Sequence, residues 1–551
     1  MSTDGAPPAL PSAEATGRRG RGRLSAKWLW LVLAMLGLLG AIVRGTDFLK
    51  DHAMTNLATG VVVLLAVTIL TVWFLFLSSF SWRMRLLVLA GCAVGLALFA
   101  ALFRIERFSG EMIPLFAYRF SVKPDWYLPS SPSKVGSDAA TASVDLRTTT
   151  RYDFPQFLGP VRSNSVEHLG LAGDWKARPP KRIWRQTIGA GWSAFAAVNG
   201  HAVTMEQRGL SEMVACYNLR TGHLEWAYAT AARYDNLRGG VGPRSTPTIS
   251  EGMVYALGAL GHLVCLDGAT GRCLWEKDLL REGGSTPDEE AAVVPWGRSA
   301  SPLLVGDRVI VPLGGAKGKR LVSLAAYDKR RGTKLWEGGE WQISYSSPVL
   351  ATVAGTEQVL SVNEDTISGH DPQTGKLLWE HPWEGRSDAT PNVSQAVPIP
   401  PNRVFVSKAY GGGALLLELA PSAGGTLAAK VVWAQPKLMK TKFSNVATLG
   451  GYVYGLSDGI LECVELASGS SPWKACHYGH GQILRADDLL LVLSEKGEVV
   501  LVEATPDRSN HVLGRFQAIE GLTWNHLALY GPYLLVRNAE EAACYELPLE
   551  K

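Results

Sequence analysis

The chain has 551 residues, 58 of them Gly and 18 Trp, with a formal net charge of only +4. That length holds a membrane segment plus a sizeable soluble domain. The small basic excess sits largely at the N-terminus, which excludes a nucleic-acid binder with a basic surface. The lack of any C-x-x-C pair excludes a zinc ribbon, a thioredoxin-type site and a c-type haem attachment.

Residues 1–27 read as a basic cytoplasmic tail, with Arg18, Arg19, Arg21, Arg23 and Lys27 clustered at its end. Three apolar runs follow, at 28–43, 57–80 and 86–103. Each predicts a transmembrane helix, since ~20 apolar residues cross the hydrocarbon core. The first run is short, but Lys27 and Arg44 can reach the two interfaces. A cleaved signal peptide is the alternative for it. Two further spans and no small-x-small cleavage site argue against that reading. Arg83 and Arg85, between the second and third runs, join the tail in setting the orientation. Basic segments stay in the cytoplasm, so the C-terminal domain is expected outside it. Residues 104–150 read as a juxtamembrane segment and linker, and the Ser-, Thr- and Ala-rich stretch 130–150 as a flexible tether.

Residues 151–551 change character. Short Val, Leu and Tyr runs alternate with Gly, Pro and Asp clusters, the pattern of many short strands. One hairpin recurs: Cys216 to Trp226, Cys265 to Trp275, Ala326 to Trp336, Gly369 to Trp379, and a weaker copy from Cys463 to Trp473. In each strong copy Asn218, Asp267, Asp328 or Asp371 can bond the turn backbone. Gly222, Gly271, Gly332 and Gly375 supply the positive φ that the turn requires. The blade-docking Trp returns at a fixed offset. Extending the series gives Trp184, Trp226, Trp275, Trp336, Trp379, Trp433, Trp473 and Phe516, at intervals of about 40 to 60 residues. A propeller blade needs ~40–45, so the expected fold is an all-β eight-bladed β-propeller preceded by three transmembrane α-helices. Trp184 opens the series without three strands closely before it, and Trp524 to Leu547 has strands without a following marker. The strand 182–188 and the C-terminal strands are therefore expected to complete one shared blade, which removes free sheet edges.

These residues resemble the PQQ-like β-propeller repeat family, which includes quinoprotein alcohol dehydrogenases and the periplasmic lipoprotein of the outer-membrane protein assembly machinery. The resemblance covers about 151–551, and its most specific element is small-x-Asp-x-x-Thr-Gly-x-x-x-Trp, as in Cys265 to Trp275. Asp153 to Pro160 also looks like the lead-in of bacterial members. Taken with the three apolar runs and the basic residues beside them, the expectation is a multi-pass protein of the bacterial inner (cytoplasmic) membrane, with its propeller on the periplasmic or extracytoplasmic side. A fold shared by enzymes and scaffolds does not settle function.

A quinoprotein dehydrogenase of this family would show two adjacent Cys, a calcium or lanthanide site of carboxylates with an Asn, and a catalytic Asp. No Cys-Cys pair occurs in this sequence, and Asp388 with Asn392 is only a regional match. No catalytic residue is assigned. Cys216, Cys265, Cys463 and Cys544 share one repeat position and read as buried core. Cys265 and Cys273 share a hairpin and could pair. No metal site is expected: His477 and His480 lack a third ligand in the sequence. The Gly239–Gly242 and Gly411–Gly413 loops, the latter beside Lys408 and Tyr410, are not phosphate loops.

Aligned on the start of each inner strand, Trp192, Arg244, Ser299, Tyr345, Asp388, Phe443, His480 and Trp524 fall at one equivalent position. They are the candidate binding ring at a channel mouth, offering charge, hydrogen bonding and stacking. The alternative is ordinary channel filling. The expected function is a membrane-anchored binding or assembly scaffold. Its partners would be envelope proteins or polymers, it would need no cofactor, and it would bind no nucleic acid. The other reading is a membrane-bound oxidoreductase using PQQ with calcium.

Overall fold

A computed structural model describes residues 23–46, 51–129 and 144–550. The tail up to residue 22 and the tether residues 130–143 lie outside the described residues. The chain divides into two compact units, Met1–Arg104 and Ile105–Lys551.

The first unit holds three helices: α1, Arg23–Gly45; α2, His52–Val72, continued by a wider turn at Trp73–Leu77; and α3, Trp82–Leu102. Their stretches Lys27–Gly45, His52–Leu77 and Trp82–Leu102 are long and apolar enough to cross a membrane. The boundaries differ from the apolar runs because capping residues set them. Asp51 accepts from the Ala53 amide at 2.7 Å and starts α2. Ser81 likewise opens α3, bringing Arg83 and Arg85 inside the helix. Arg85 remains satisfied there by donating to the carbonyls of Leu75, Ser78 and Phe80, which the end of α2 leaves free.

In the second unit eight sheets form the blades, seven of them built of four antiparallel strands, which run from inner to outer in chain order except in blade 8. The inner strands are Ala196–Val198, Thr248–Ser250, Leu303–Val305, Val349–Val353, Val397–Ile399, Ala447–Leu449, Gln482–Ala486 and Ala528–Tyr530, for blades 1 to 8. Blade 8 is the shared one: its outer strand, Lys181–Thr187, pairs with Glu541–Glu546, and Trp184 lies opposite Cys544. Below, the upper end is where inner strands begin and the lower end is where they finish.

The repeat motif works between blades. Trp184, Trp226, Trp275, Trp433 and Trp473 each donate their indole N–H to a carbonyl of the next blade, at 2.7–3.0 Å. For Trp184, Trp226, Trp275 and Trp433 the turn glycine of that next blade lies on the same indole. A β-carbon at Gly271 would come within 2.6 Å of Trp226, and one at Gly332 within 2.8 Å of Trp275. These glycines therefore supply both the positive φ (71° and 68°) and the space for the ring. Blade 5 has no such glycine after Trp379, which turns instead to Gln358 in its own blade.

Cys216, Cys265, Cys463 and Cys544 are buried directly opposite Trp226, Trp275, Trp473 and Trp184. Cys265 and Cys273 are free thiols. Cys273 lies opposite Leu266, one register step from Cys265, so the two face opposite sides of the blade. Residues expected in the linker also pack: Val144 and Leu146 are buried in the core shared by blades 1 and 2.

Candidate functional site: the channel and its two mouths

Just above the inner strands, side chains pass hydrogen bonds from blade to blade. The Ala194 amide donates to Thr246 Oγ1, that of Thr246 to Ser301 Oγ, and that of Ser301 to Ser347 Oγ, at 2.9–3.1 Å. Gln395 N donates to Asn445 Oδ1 at 2.9 Å, and Asn525 closes the circle on the carbonyls of Gly191 and Ser193. This replaces the ladder bonds that inner strands lack on their channel side.

The lower mouth is closed by the lead-in segment 154–166, which touches all eight blades. Phe154 bridges to Ala197 of blade 1, and the Ile249 amide of blade 2 donates to Pro155. Arg162 is fully buried and donates to the carbonyls of Ser301 and Pro302 in blade 3 and Pro348 in blade 4. Gln395 of blade 5 donates to the Arg162 carbonyl, and Asn164 to Val446 of blade 6. Ser165–Val166 adds a parallel strand to blade 7, and Phe157 packs edge-on against His526 of blade 8, 5.8 Å between centroids. Burial pulls the Arg162 guanidinium down to about 9 and the His526 imidazole to about 4.

The upper mouth carries the predicted ring. Trp192, Phe443, His480 and Trp524 come together: Trp192 and Trp524 lie 4.8 Å apart by centroid, Phe443 and Trp524 4.8 Å, and Phe443 and His480 5.5 Å. Trp524 Nε1 donates to Glu495 at 2.8 Å, and Trp192 Nε1 to the Gly239 carbonyl at 2.7 Å. Arg244 donates to the carbonyls of Gly239 and Gly242 at 2.5 Å and lies over the Tyr234 ring. The Gly239–Gly242 loop is thus a receiver for Trp192 and Arg244. Ser299 donates to the Tyr345 carbonyl at 2.8 Å, and Tyr345 to that of Ser387 at 3.0 Å.

Asp388 is placed differently from its sequence alignment. It is exposed in a turn closed by Arg386 and Thr390, and its carboxylate pairs with Arg386 at 2.7 Å. Val393, four residues before Val397, holds the equivalent place and packs against Tyr345. The long loop before this strand displaced the alignment.

The turn at 109–112, between strands Phe103–Phe108 and Pro114–Tyr118, reaches the aromatic side of this mouth. Gly110 donates to Glu495 at 2.7 Å and accepts from Lys442 at 3.1 Å, and Glu111 meets His477 at 2.8 Å. That carboxylate holds the His477 imidazole above its ordinary range. Further on, the buried Asp125 takes Arg233 at 2.5 Å. In blade 5, Lys408 donates to the Glu384 carbonyl beside the Trp383 ring, burial pulling its amine down to about 8. Lys442 lies 5.6 Å from the Tyr410 centroid. Between blades 1 and 2, Glu212 accepts from the Ala259 amide at 3.0 Å, and burial pushes its carboxyl up to about 7. Sequence reading had no signal for Arg162 or Glu212, whose partners are mostly backbone groups far away in the chain.

The residues do not assemble the quinone–metal site that the resemblance implies. Among the seven cysteines none are adjacent in sequence. Asn392 spends its amide on the carbonyls of Asn363, Glu364 and Trp383, while Asp388 points away to Arg386.

Fold and channel together define an eight-bladed propeller of PQQ-like repeats with three membrane-length helices. The family profile described as "Outer membrane protein assembly factor BamB" matches residues 178–475, and the chain belongs to this family. A curated relative, outer membrane protein assembly factor BamB of Burkholderia pseudomallei (strain K96243), is 27% identical over 243 residues, 42% of this chain and 54% of the relative. The chain thus spans about half the length of that relative. Among solved structures, a europium-containing methanol dehydrogenase matches 72% of this chain and 98% of its own, with TM-score 0.56 and 12% identity. Quinohemoprotein alcohol dehydrogenase from Comamonas testosteroni matches 72% and 81%, with TM-score 0.53 and 13% identity. At these identities the two enzymes share the fold alone.

Proposed function

We propose that the protein is a membrane-tethered binding or assembly scaffold of the cell envelope, with its propeller on the extracytoplasmic side of the inner membrane and envelope proteins or polymers as partners. The observation that carries this is the filling of the channel by the chain itself. The lead-in segment closes the lower mouth, and an aromatic cluster under the 109–112 turn occupies one side of the upper mouth. In this reading Trp192, Arg244, Ser299, Tyr345, Phe443, His480 and Trp524 shape the mouth, and the partners dock on blade loops. The basic tail and Arg83–Arg85 support the orientation, and family membership supports the class of role.

Two measurements on the full chain test this. Alkaline phosphatase fused after residue 150 is expected to be active. An inactive fusion, with an active cytoplasmic reporter at the same site, would overturn the orientation. Purified protein given PQQ and calcium is expected to show neither quinone absorbance nor dye reduction. Stoichiometric quinone binding with dye reduction would transfer the protein to the oxidoreductase class.

A further inference from the structure

Outside the channel, blade 1 departs from its repeat at one place. In most blades the outer strand carries a bulge whose unpaired residue is apolar: Leu274, Leu335, Leu378, Val432, Leu513 and Ile183 in blades 2, 3, 4, 5, 7 and 8. In blade 1 it is Glu225. The first residue of the second strand is Met253, Tyr452, Leu489 or Tyr533 in blades 2, 6, 7 and 8 and Arg308, Thr356 or Arg403 in blades 3, 4 and 5; only blade 1 places an imidazole there, that of His201. These two exchanges bracket Cys216. His201 Nδ1 lies 2.6 Å from Glu225 Oε2, and Cys216 Sγ lies 3.6 Å from the same oxygen. All three donor atoms fall within 4.8 Å of one another. Asn218 donates to the second Glu225 oxygen at 3.3 Å and fixes the carboxylate.

We propose that His201, Cys216 and Glu225 form a binding site for one zinc-class divalent cation. Imidazole nitrogen, thiolate and carboxylate are the donor set of zinc, with bonds of about 2.0–2.3 Å. Tetrahedral geometry at those lengths needs donors roughly 3.3–3.8 Å apart. The Cys216–Glu225 separation meets this already, and the others follow from small side-chain rotations. Charge also balances: a neutral imidazole, a thiolate and a carboxylate cancel a dication, which suits a site with one buried wall. The ion takes the place of the thiol proton, which leaves to solvent. His201 binds through Nδ1 and keeps its proton on Nε2. The side chains of His201 and Glu225 are 14% and 18% exposed while Cys216 is fully buried, so the ion enters from one open side and water fills the fourth position. The bound ion would staple the second, third and fourth strands of blade 1. Cys216 shares its core cluster with Val144 and Leu146, where the chain joins the propeller.

The full chain in detergent, stripped with EDTA, is titrated with cobalt(II) and then zinc(II). The expected result is one cobalt per chain, a cobalt–thiolate charge-transfer band in the near ultraviolet, its loss on zinc addition, and a higher Tm with zinc. Cys216→Ser and Glu225→Leu should each abolish the band. Glu225→Leu restores the residue type of the other blades, so it folds and decides the matter even if Cys216→Ser does not. Cys476→Ser, at an exposed thiol beside His477, should leave the band intact. No band in the parent, a band surviving Glu225→Leu, or a band lost with Cys476→Ser would overturn the site.

Discussion

Gly110 lies flat against the imidazole of His480, so close that a β-carbon at position 110 would run into the ring atoms Cδ2 and Cγ and into the His480 Cβ. The turn at 109–112 can therefore reach the upper mouth only with glycine at its tip. Gly110→Val is expected to lift the turn and expose 105–120 to protease, raising the cleavage rate at least about tenfold while the propeller's Tm changes little. His480→Ala in the same chain makes room and should restore protection. Limited proteolysis with mass mapping checks both, and unchanged cleavage in Gly110→Val would detach the turn from the mouth.

Arg162 should matter more than its place in a short irregular segment implies. Removing it strands buried carbonyls of Ser301 and Pro348, while that of Pro302 keeps the Thr248 hydroxyl, and each unsatisfied group costs ~1–3 kcal/mol. Arg162→Ala is expected to lose about 3 kcal/mol or more in denaturant melts. Arg162→Lys should recover little, since one ammonium cannot reach acceptors spread over blades 3 and 4.

The interblade tryptophans predict a matched pair of effects. Trp275→Ala and Trp336→Ala should each cost ~3–5 kcal/mol by lost burial and cavity formation. Gly332→Ala should destabilise through the same contact from the other side, because its β-carbon would meet Trp275 and its φ is 68°. Equal denaturation midpoints for all three variants and the parent would break the link between motif and docking.

That pairing explains how much of the fold was legible. Trp and Gly recur in the sequence because they touch in space between five of the neighbouring blade pairs, so a local pattern reported a nonlocal contact. The ring at the upper mouth was legible wherever loop length was constant, hence the meeting of Trp192, Phe443, His480 and Trp524. It failed at Asp388, where the longer loop before Val397 broke the count. Arg162 left no trace, because most of its acceptors are backbone carbonyls, which every residue owns. The trio His201, Cys216 and Glu225 did leave one: an acid directly before Trp226, where five other blades hold an aliphatic residue before their own marker or its bulge partner.

Two buried groups predict opposing pH slopes. Glu212 titrates near 7 when folded, above its ordinary 4.5, so between those values the folded chain holds a proton that the unfolded chain has lost. Its contribution to stability therefore falls as pH rises through that window. His526 titrates near 4 instead of 6.5, so its contribution falls as pH drops from 6.5 towards 4. The two largely offset each other between 4.5 and 6.5. Glu212→Gln should remove the first slope, on the order of 3 kcal/mol at full span, and leave stability rising with pH from 4 to 6.5. Urea melts at half-unit pH steps check this; parallel curves for parent and variant would contradict it.

The pairing of Lys181–Thr187 with Glu541–Glu546 also sets a timetable. A ribosome makes these strands roughly 350 residues apart, many seconds apart at ~5–20 residues per second. Until the later strand emerges, the earlier blades form an arc with two raw ends, and residues 154–166 have no complete ring to span. Completion is one late, all-at-once event. The growing chain must be shielded by something else for that interval, and an error in the last thirty residues undoes work finished long before.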